Sequence, residues 1–186
     1  LLQSGNLLNV SNLASDLGMS RNTVNAYLGI LEQTQVLDRL RPWAKKSKAR
    51  LLKAPKVYFF DAGLINHAAR RTEYMALKTT GGLGSITEGV FLFNTLSFVR
   101  NMSIPPELTF WRDYRGREID FVIEGDRVFG VELTSGDRLR KKRFETIKFL
   151  RENTEIKRFL VVGDFPSFEK LADCGESWRV PSWLMF

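Results

Sequence analysis

Three acidic residues stand where they could serve a metal ion: Glu88, Asp120 and Glu132. Asp120 and Glu132 sit in two alternating apolar and polar segments, Arg117 to Glu124 and Val128 to Thr134, which read as a hairpin around Gly125-Asp126-Arg127. The register decides whether they meet, because a one-residue slip sends a side chain to the opposite face. Pairing Glu124 with Val128 across a three-residue loop sets Phe121 against Val131, Ile119 against Leu133 and Ile123 against Phe129, one continuous apolar face. Asp120 then falls opposite Glu132, and Glu118 opposite Thr134. A two-residue turn would pair Asp120 with Val131 and mix the faces, forfeiting roughly several kcal/mol of apolar burial, so the odd loop is expected. Opposed carboxylates repel unless a cation, a proton or solvent compensates. A divalent ion is one expectation and a solvated acidic face the other.

One cysteine, Cys174, and one histidine, His67, cannot assemble the usual zinc spacings. Carboxylate oxygens suit Mg2+ or Mn2+, with Asp120 and Glu132 as the expected ligands. Glu88 begins a strongly apolar segment, Ile86 to Arg100, that reads as a helix buried between layers. Its carboxylate either assists at the metal or simply complements the helix dipole.

A second set of residues could bind phosphate. Leu13, Ala14 and Leu17, then Gly18, then Val24, Tyr27, Leu28 and Leu31 form two helical stripes around a turn, with Ser20 as N-cap of the second helix. This is a helix-turn-helix pattern with Arg21, Asn22 and Asn25 facing outward. Val36 to Leu40 and Lys56 to Phe60 read as strands flanking a basic loop, the plan of a winged helix. Lys45, Lys46, Lys48 and Arg50 lie in that loop, and Lys141, Lys142 and Arg143 stand on a basic helix from about Arg138 to Glu152. Such clusters hold phosphates without reading sequence, although winged helices also dock proteins.

These residues require a mixed α/β (α+β) architecture. The expected order is a winged helix-turn-helix domain over 1–75, then an α-β-β-β-α-β domain over 76–186 that ends in a buried strand at Arg158 to Val162. Asp61 to about Arg71 reads as a short helix, and Thr79 to Ser85 as a flexible glycine connector. No Gly-Lys-Ser/Thr follows those glycines, so a nucleotide loop is not expected there.

The chain of 186 residues carries a net charge of +7. That charge favours a polyanionic partner without requiring one. A lone cysteine excludes an internal disulfide and fits a reducing cytoplasm. No apolar run approaches the roughly 20 residues of a membrane span, and Leu1-Leu2-Gln3-Ser4 carries neither an initiator Met nor a signal-peptide pattern. The chain is expected to be a piece of a longer protein.

The acidic set resembles the restriction-endonuclease-like nuclease core, PD-(D/E)xK, whose pattern is a helix Glu, then an Asp, then Glu-x-Lys on the next strand. The matching positions are Glu88, Asp120 and Glu132-Leu133-Thr134. Thr134 stands where the resemblance implies a lysine that activates water and offsets phosphate charge. Lys141 or Lys142 could replace it, or lie on the solvated side of its helix. Leu28 to Leu37, Lys56-Val57-Tyr58-Phe59-Phe60-Asp61-Ala62-Gly63-Leu64, Trp111-Arg112 and Glu118-Ile119-Asp120-Phe121 resemble the C-terminal region of a bacterial and archaeal AAA+ ATPase family. That resemblance implies an ATPase core elsewhere in the parent protein, which alone would bind ATP, because no Walker A pattern occurs here. Three functions stay open: a DNA- or partner-binding module with a degenerate nuclease-like site, an active Mg-dependent DNA nuclease, and a pure protein-interaction module. The oligomeric state is not legible.

Overall fold

Asn9 and Ser20 start the first two helices by accepting backbone N–H groups of Asn12 and Thr23, which helix geometry would otherwise leave unpaired. These helices are α1 (Val10–Leu17) and α2 (Arg21–Gln33), and Gly18 closes α1 in the left-handed conformation at φ 63°. The structure is a computed structural model that describes residues 4–43, 52–70, 82–136, 139–171 and 174–184. Strands β1 (Asn6–Leu7), β2 (Leu37–Leu40) and β3 (Lys56–Phe59) form an antiparallel sheet in the order β1-β3-β2. Leu8, Ala14, Val24, Leu28, Leu37 and Val57 make its core. A guanidinium–carboxylate pair, Arg39 with Glu32, ties β2 to α2. Leu17 and Tyr27, expected in the apolar stripes, are instead 54% and 55% exposed. Periodicity marks every apolar position of a stripe, whereas only Ala14 of α1 and Val24 and Leu28 of α2 are fully buried.

Asp61 caps α3 (Ala62–Ala68) through the Gly63 and Leu64 N–H groups. The helix stops short of the expected Arg71, and Arg70 has a φ of 52°. Helix α4 runs over Gly82–Val99, so the glycines at 82 and 84 belong to its first turn and not to a connector. Residues 71–81, which include Thr79 to Gly81 of the expected connector, lie outside the described residues. Nor is α4 covered on all sides, for Phe98 is 73% exposed.

The second sheet has six strands in the order β4-β5-β6-β7-β9-β8: β4 (Glu107–Arg112), β5 (Glu118–Glu124), β6 (Val128–Leu133), β7 (Arg158–Gly163), β8 (Glu169–Lys170) and β9 (Ser177–Pro181). Strands β4 to β6 are antiparallel neighbours, whereas β6, β7 and β9 run parallel. The crossover from β6 to β7 is α5 (Lys141–Asn153), the length of connection that parallel strands need. Ile147 and Leu150 of α5 pack with Val122, Phe159, Val161 and Ile156, and Phe91 of α4 lies 4.8 Å from the Phe121 ring. Gly130 leaves room for Phe159, since a Cβ there would meet its ring at 2.5 Å.

The chain forms two units, Leu1–Leu40 with Ala54–Val90, and Arg41–Lys53 with Phe91–Phe186, so one cut near residue 75 does not separate them. The flanks of the expected basic wing belong to the second unit. Phe110 donates its N–H to Arg41 O and accepts from Trp43 N–H, and the Trp43 indole donates to Glu124 at 2.8 Å. A sheet edge with unpaired backbone groups supplies the physical reason: β4 is that edge, and residues 41–43 cover it. Lys45, Lys46, Lys48 and Arg50 lie outside the described residues.

Candidate functional site

The hairpin that carries the acidic pair has the three-residue loop required by its apolar alternation: Glu124 pairs with Val128, Ile123 with Phe129 and Phe121 with Val131. One part of the expected face fails. On β4, Thr109 pairs with Val122 and Trp111 with Ile119, so Asp120 and Phe121 together oppose Phe110. This is a bulge, which breaks alternation and re-aims side chains. Ile119 therefore packs with Trp111 and Val122 under α5 instead of joining Phe121 and Val131.

The bulge also frees the Asp120 carboxylate to act on the neighbouring strand. Its Oδ2 accepts the Leu133 N–H at 2.8 Å, where β5 and β6 no longer pair. Glu132 lies beside Val161 of β7 on the side covered by α5. Asp120 is 3% exposed and Glu132 1%, so the expectation of a solvated acidic face is overturned. Ionised carboxylates at that depth require a counter-charge. Arg143 supplies it from the first turn of α5: Nε meets Glu132 Oε1 at 2.8 Å, and Nη1 reaches Glu132 Oε2 at 3.4 Å and the Glu118 carbonyl at 3.1 Å. Nη2 stands 3.9 Å from Asp120 Oδ1.

The divalent ion implied by the resemblance does not fit this arrangement as it stands, because the guanidinium engages the oxygens that a hard cation would take. Among the described residues no group of three or more His, Cys, Asp or Glu is placed to hold a metal ion. Glu88 has other partners within the first unit. Its Oε2 accepts from the Tyr58 hydroxyl at 2.7 Å and the Lys56 ammonium at 3.3 Å. Lys56 and Tyr58 are 2% and 0% exposed and the Glu88 side chain 20%, so this is a partly buried ion pair that fastens α4 to β3.

Thr134 donates its N–H to Val162 O at 2.8 Å, and its methyl lies against Gly163. Lys141 and Lys142 are exposed at the start of α5, as are Arg21, Asn22 and Asn25 at the start of α2. Arg143, expected with those lysines as a phosphate ligand, instead turns inward to Glu132. A signal was present: residues 143, 146, 147 and 150 have the i, i+3, i+4, i+7 spacing of one helix face, and the last three are buried. Asp113 is a further residue that sequence reasoning passed over. Its carboxylate, 2% exposed, accepts the N–H groups of Arg115 and Arg117 and pairs with the Arg117 guanidinium, which stacks on Phe149 of α5.

Fold and site define a two-unit α+β protein whose larger sheet holds an acidic pair closed by an arginine. Residues 83–181 match the family described as Domain of unknown function (DUF4143), and residues 1–74 match that described as Domain of unknown function (DUF8612). The first match spans more than half of the chain, which belongs to the DUF4143 family. Domains of this family are commonly found at the C-termini of AAA-type ATPases, consistent with the resemblance drawn from the motifs. No curated protein and no solved structure matches the chain. Among the described residues no helix is long and apolar enough to cross a membrane.

Proposed function

We propose that this chain is the non-ATPase C-terminal part of an AAA-type ATPase and acts as a DNA-binding module whose nuclease-like site is catalytically silent. The observation that carries this reading is the Arg143 clasp on Glu132 and Asp120. Metal-assisted hydrolysis needs a cation with open positions for water and phosphate, and a guanidinium offers neither a coordination site nor an activated water. Thr134 adds no cation in place of the lysine. DNA is favoured by the net charge of +7 and by Arg140, Lys141 and Lys142, three consecutive exposed cations.

Supercoiled plasmid with Mg2+ or Mn2+ tests both halves. Wild type and Thr134→Lys are expected to leave it intact. Wild type is expected to retard DNA in a gel, with affinity falling steeply as salt rises, and Lys141→Glu with Lys142→Glu to weaken binding by about tenfold or more. Cleavage by wild type that vanishes in Asp120→Ala would instead establish a nuclease. A second reading rests on Leu17, Met19, Tyr27 and Ile30, large apolar side chains exposed on or beside α1 and α2. Such exposure suits protein docking, which becomes the leading reading if the chain neither cuts nor shifts DNA.

A further inference from the structure

We infer that the turn between β4 and β5 is a nucleic-acid contact selective for unpaired bases, with Tyr114 stacking on a base and Arg115 holding an adjacent phosphate. The inference rests on the DNA-binding reading above and names the form of DNA selected. The segment Trp111-Arg112-Asp113-Tyr114-Arg115-Gly116-Arg117 interleaves aromatic rings with cations, the combination that single-strand binding surfaces use. Its residues divide into anchors and tip. Trp111 is fully buried, Arg112 pairs with Glu118 at 3.4 Å, and Arg117 pairs with Asp113 and stacks on Phe149 of α5. At the tip stand Tyr114, 57% exposed, and the exposed Arg115.

The tip is fixed before any ligand arrives. The buried Asp113 carboxylate accepts the Arg115 and Arg117 N–H groups at 2.9 Å each. The Asp113 N–H donates to Arg117 O at 3.0 Å, the Gly116 N–H donates to Asp113 O at 3.2 Å, and Gly116 takes the left-handed φ of 73° that closes the turn. A contact ordered in advance loses little further entropy on binding. The surrounding charge suits a polyanion. Arg143 donates to the Glu118 carbonyl at 3.1 Å, which sets the start of α5 beside the foot of the turn. Arg115, Arg140, Lys141 and Lys142 are exposed at this end of the second sheet, and among the described residues none of them is in an ion pair. A phosphate backbone supplies the counter-charge. A duplex hides its base faces in the stack, whereas a single strand offers them to the Tyr114 ring.

Fluorescence anisotropy of the whole chain with a single-stranded oligonucleotide, and with a duplex of the same length, tests this. Wild type is expected to bind the single strand at least about fivefold tighter, and Tyr114→Ala to lose about fivefold or more on the single strand and less than about twofold on the duplex. Tyr114→Phe, which keeps the ring, is expected to retain the single-strand preference. Arg115→Ala is expected to weaken binding and to flatten the slope of log affinity against log salt by about 0.7 on the single strand. A wild-type preference for duplex overturns the inference, as does a folded Tyr114→Ala with unchanged single-strand affinity or an equal loss on both DNAs. So does an unchanged salt slope in Arg115→Ala. If Tyr114→Ala unfolds, Tyr114→Gln is judged by the same criteria. Loss on both DNAs in Lys141→Glu with Lys142→Glu, alongside no loss in Tyr114→Ala, overturns this inference and leaves the DNA-binding reading standing. Wild type that binds neither DNA overturns both.

Discussion

Buried charge dominates this chain at the residue scale. Glu88 entered as a candidate metal-assisting carboxylate and is found between Lys56 and Tyr58. A merely structural role has a distinct signature. Glu88→Ala removes the carboxylate that accepts from both the Lys56 ammonium and the Tyr58 hydroxyl, and is expected to lower unfolding stability by about 3 kcal/mol, read from urea denaturation. The double variant Lys56→Met, Glu88→Leu removes both charges and is expected to recover most of that loss. A failure to recover would mean that Glu88 does something besides pairing with Lys56. Arg39 shows the opposite limit. Its hydrogen bond with Glu32 raises an already high pKa, so stability from its charge is fully present below the unfolded arginine value and disappears only above it. No practical pH range reaches that point.

The elements explain why two residues in neighbouring strands could be paired on paper while their surroundings could not. Alternation fixes the loop length of the β5–β6 hairpin, since only one register gathers Phe121, Val131, Ile123 and Phe129. The bulge opposite Phe110 has no such local signature, because Asp120-Phe121 reads as ordinary alternation. It comes from fitting β5 against β4 on one side and β6 on the other. Packing on this face of the sheet is testable at Gly130, where an added methyl would meet the Phe159 ring at 2.5 Å and Ile156 at 3.3 Å. Gly130→Ala is expected to cost about 1–3 kcal/mol in thermal or urea unfolding. An unchanged midpoint would show that Phe159 and Ile156 are not packed over Gly130 as described.

For the whole molecule, the consequential feature is that residues 41–43, directly after β2, belong to the second unit. Trp43 is 2% exposed and joins that unit's core cluster, 81 positions before the Glu124 to which its indole is bonded. Trp43→Ala is expected to destabilise the second unit by about 3–5 kcal/mol, and a fragment cut at residue 76 to suffer at least as much. Hydrogen exchange resolved by residue checks this, with the loss expected in β4 and β5. Equal loss confined to β2 and β3 would contradict the assignment of Trp43 to the second unit.

Patterns local in sequence were decided by the sequence itself: the Ser20 cap, the Gly18 stop, the strands β2, β3 and β5 to β7, and the three-residue hairpin loop. Each follows from backbone periodicity or from a group that must satisfy its neighbour within a few residues. Tertiary structure alone decided which cation meets the Asp120 and Glu132 carboxylates, where Trp43 goes and which face Ile119 takes. These outcomes depend on surfaces brought together from distant parts of the chain. There the need to neutralise buried charge and cover an exposed strand edge outweighs any preference written along the chain.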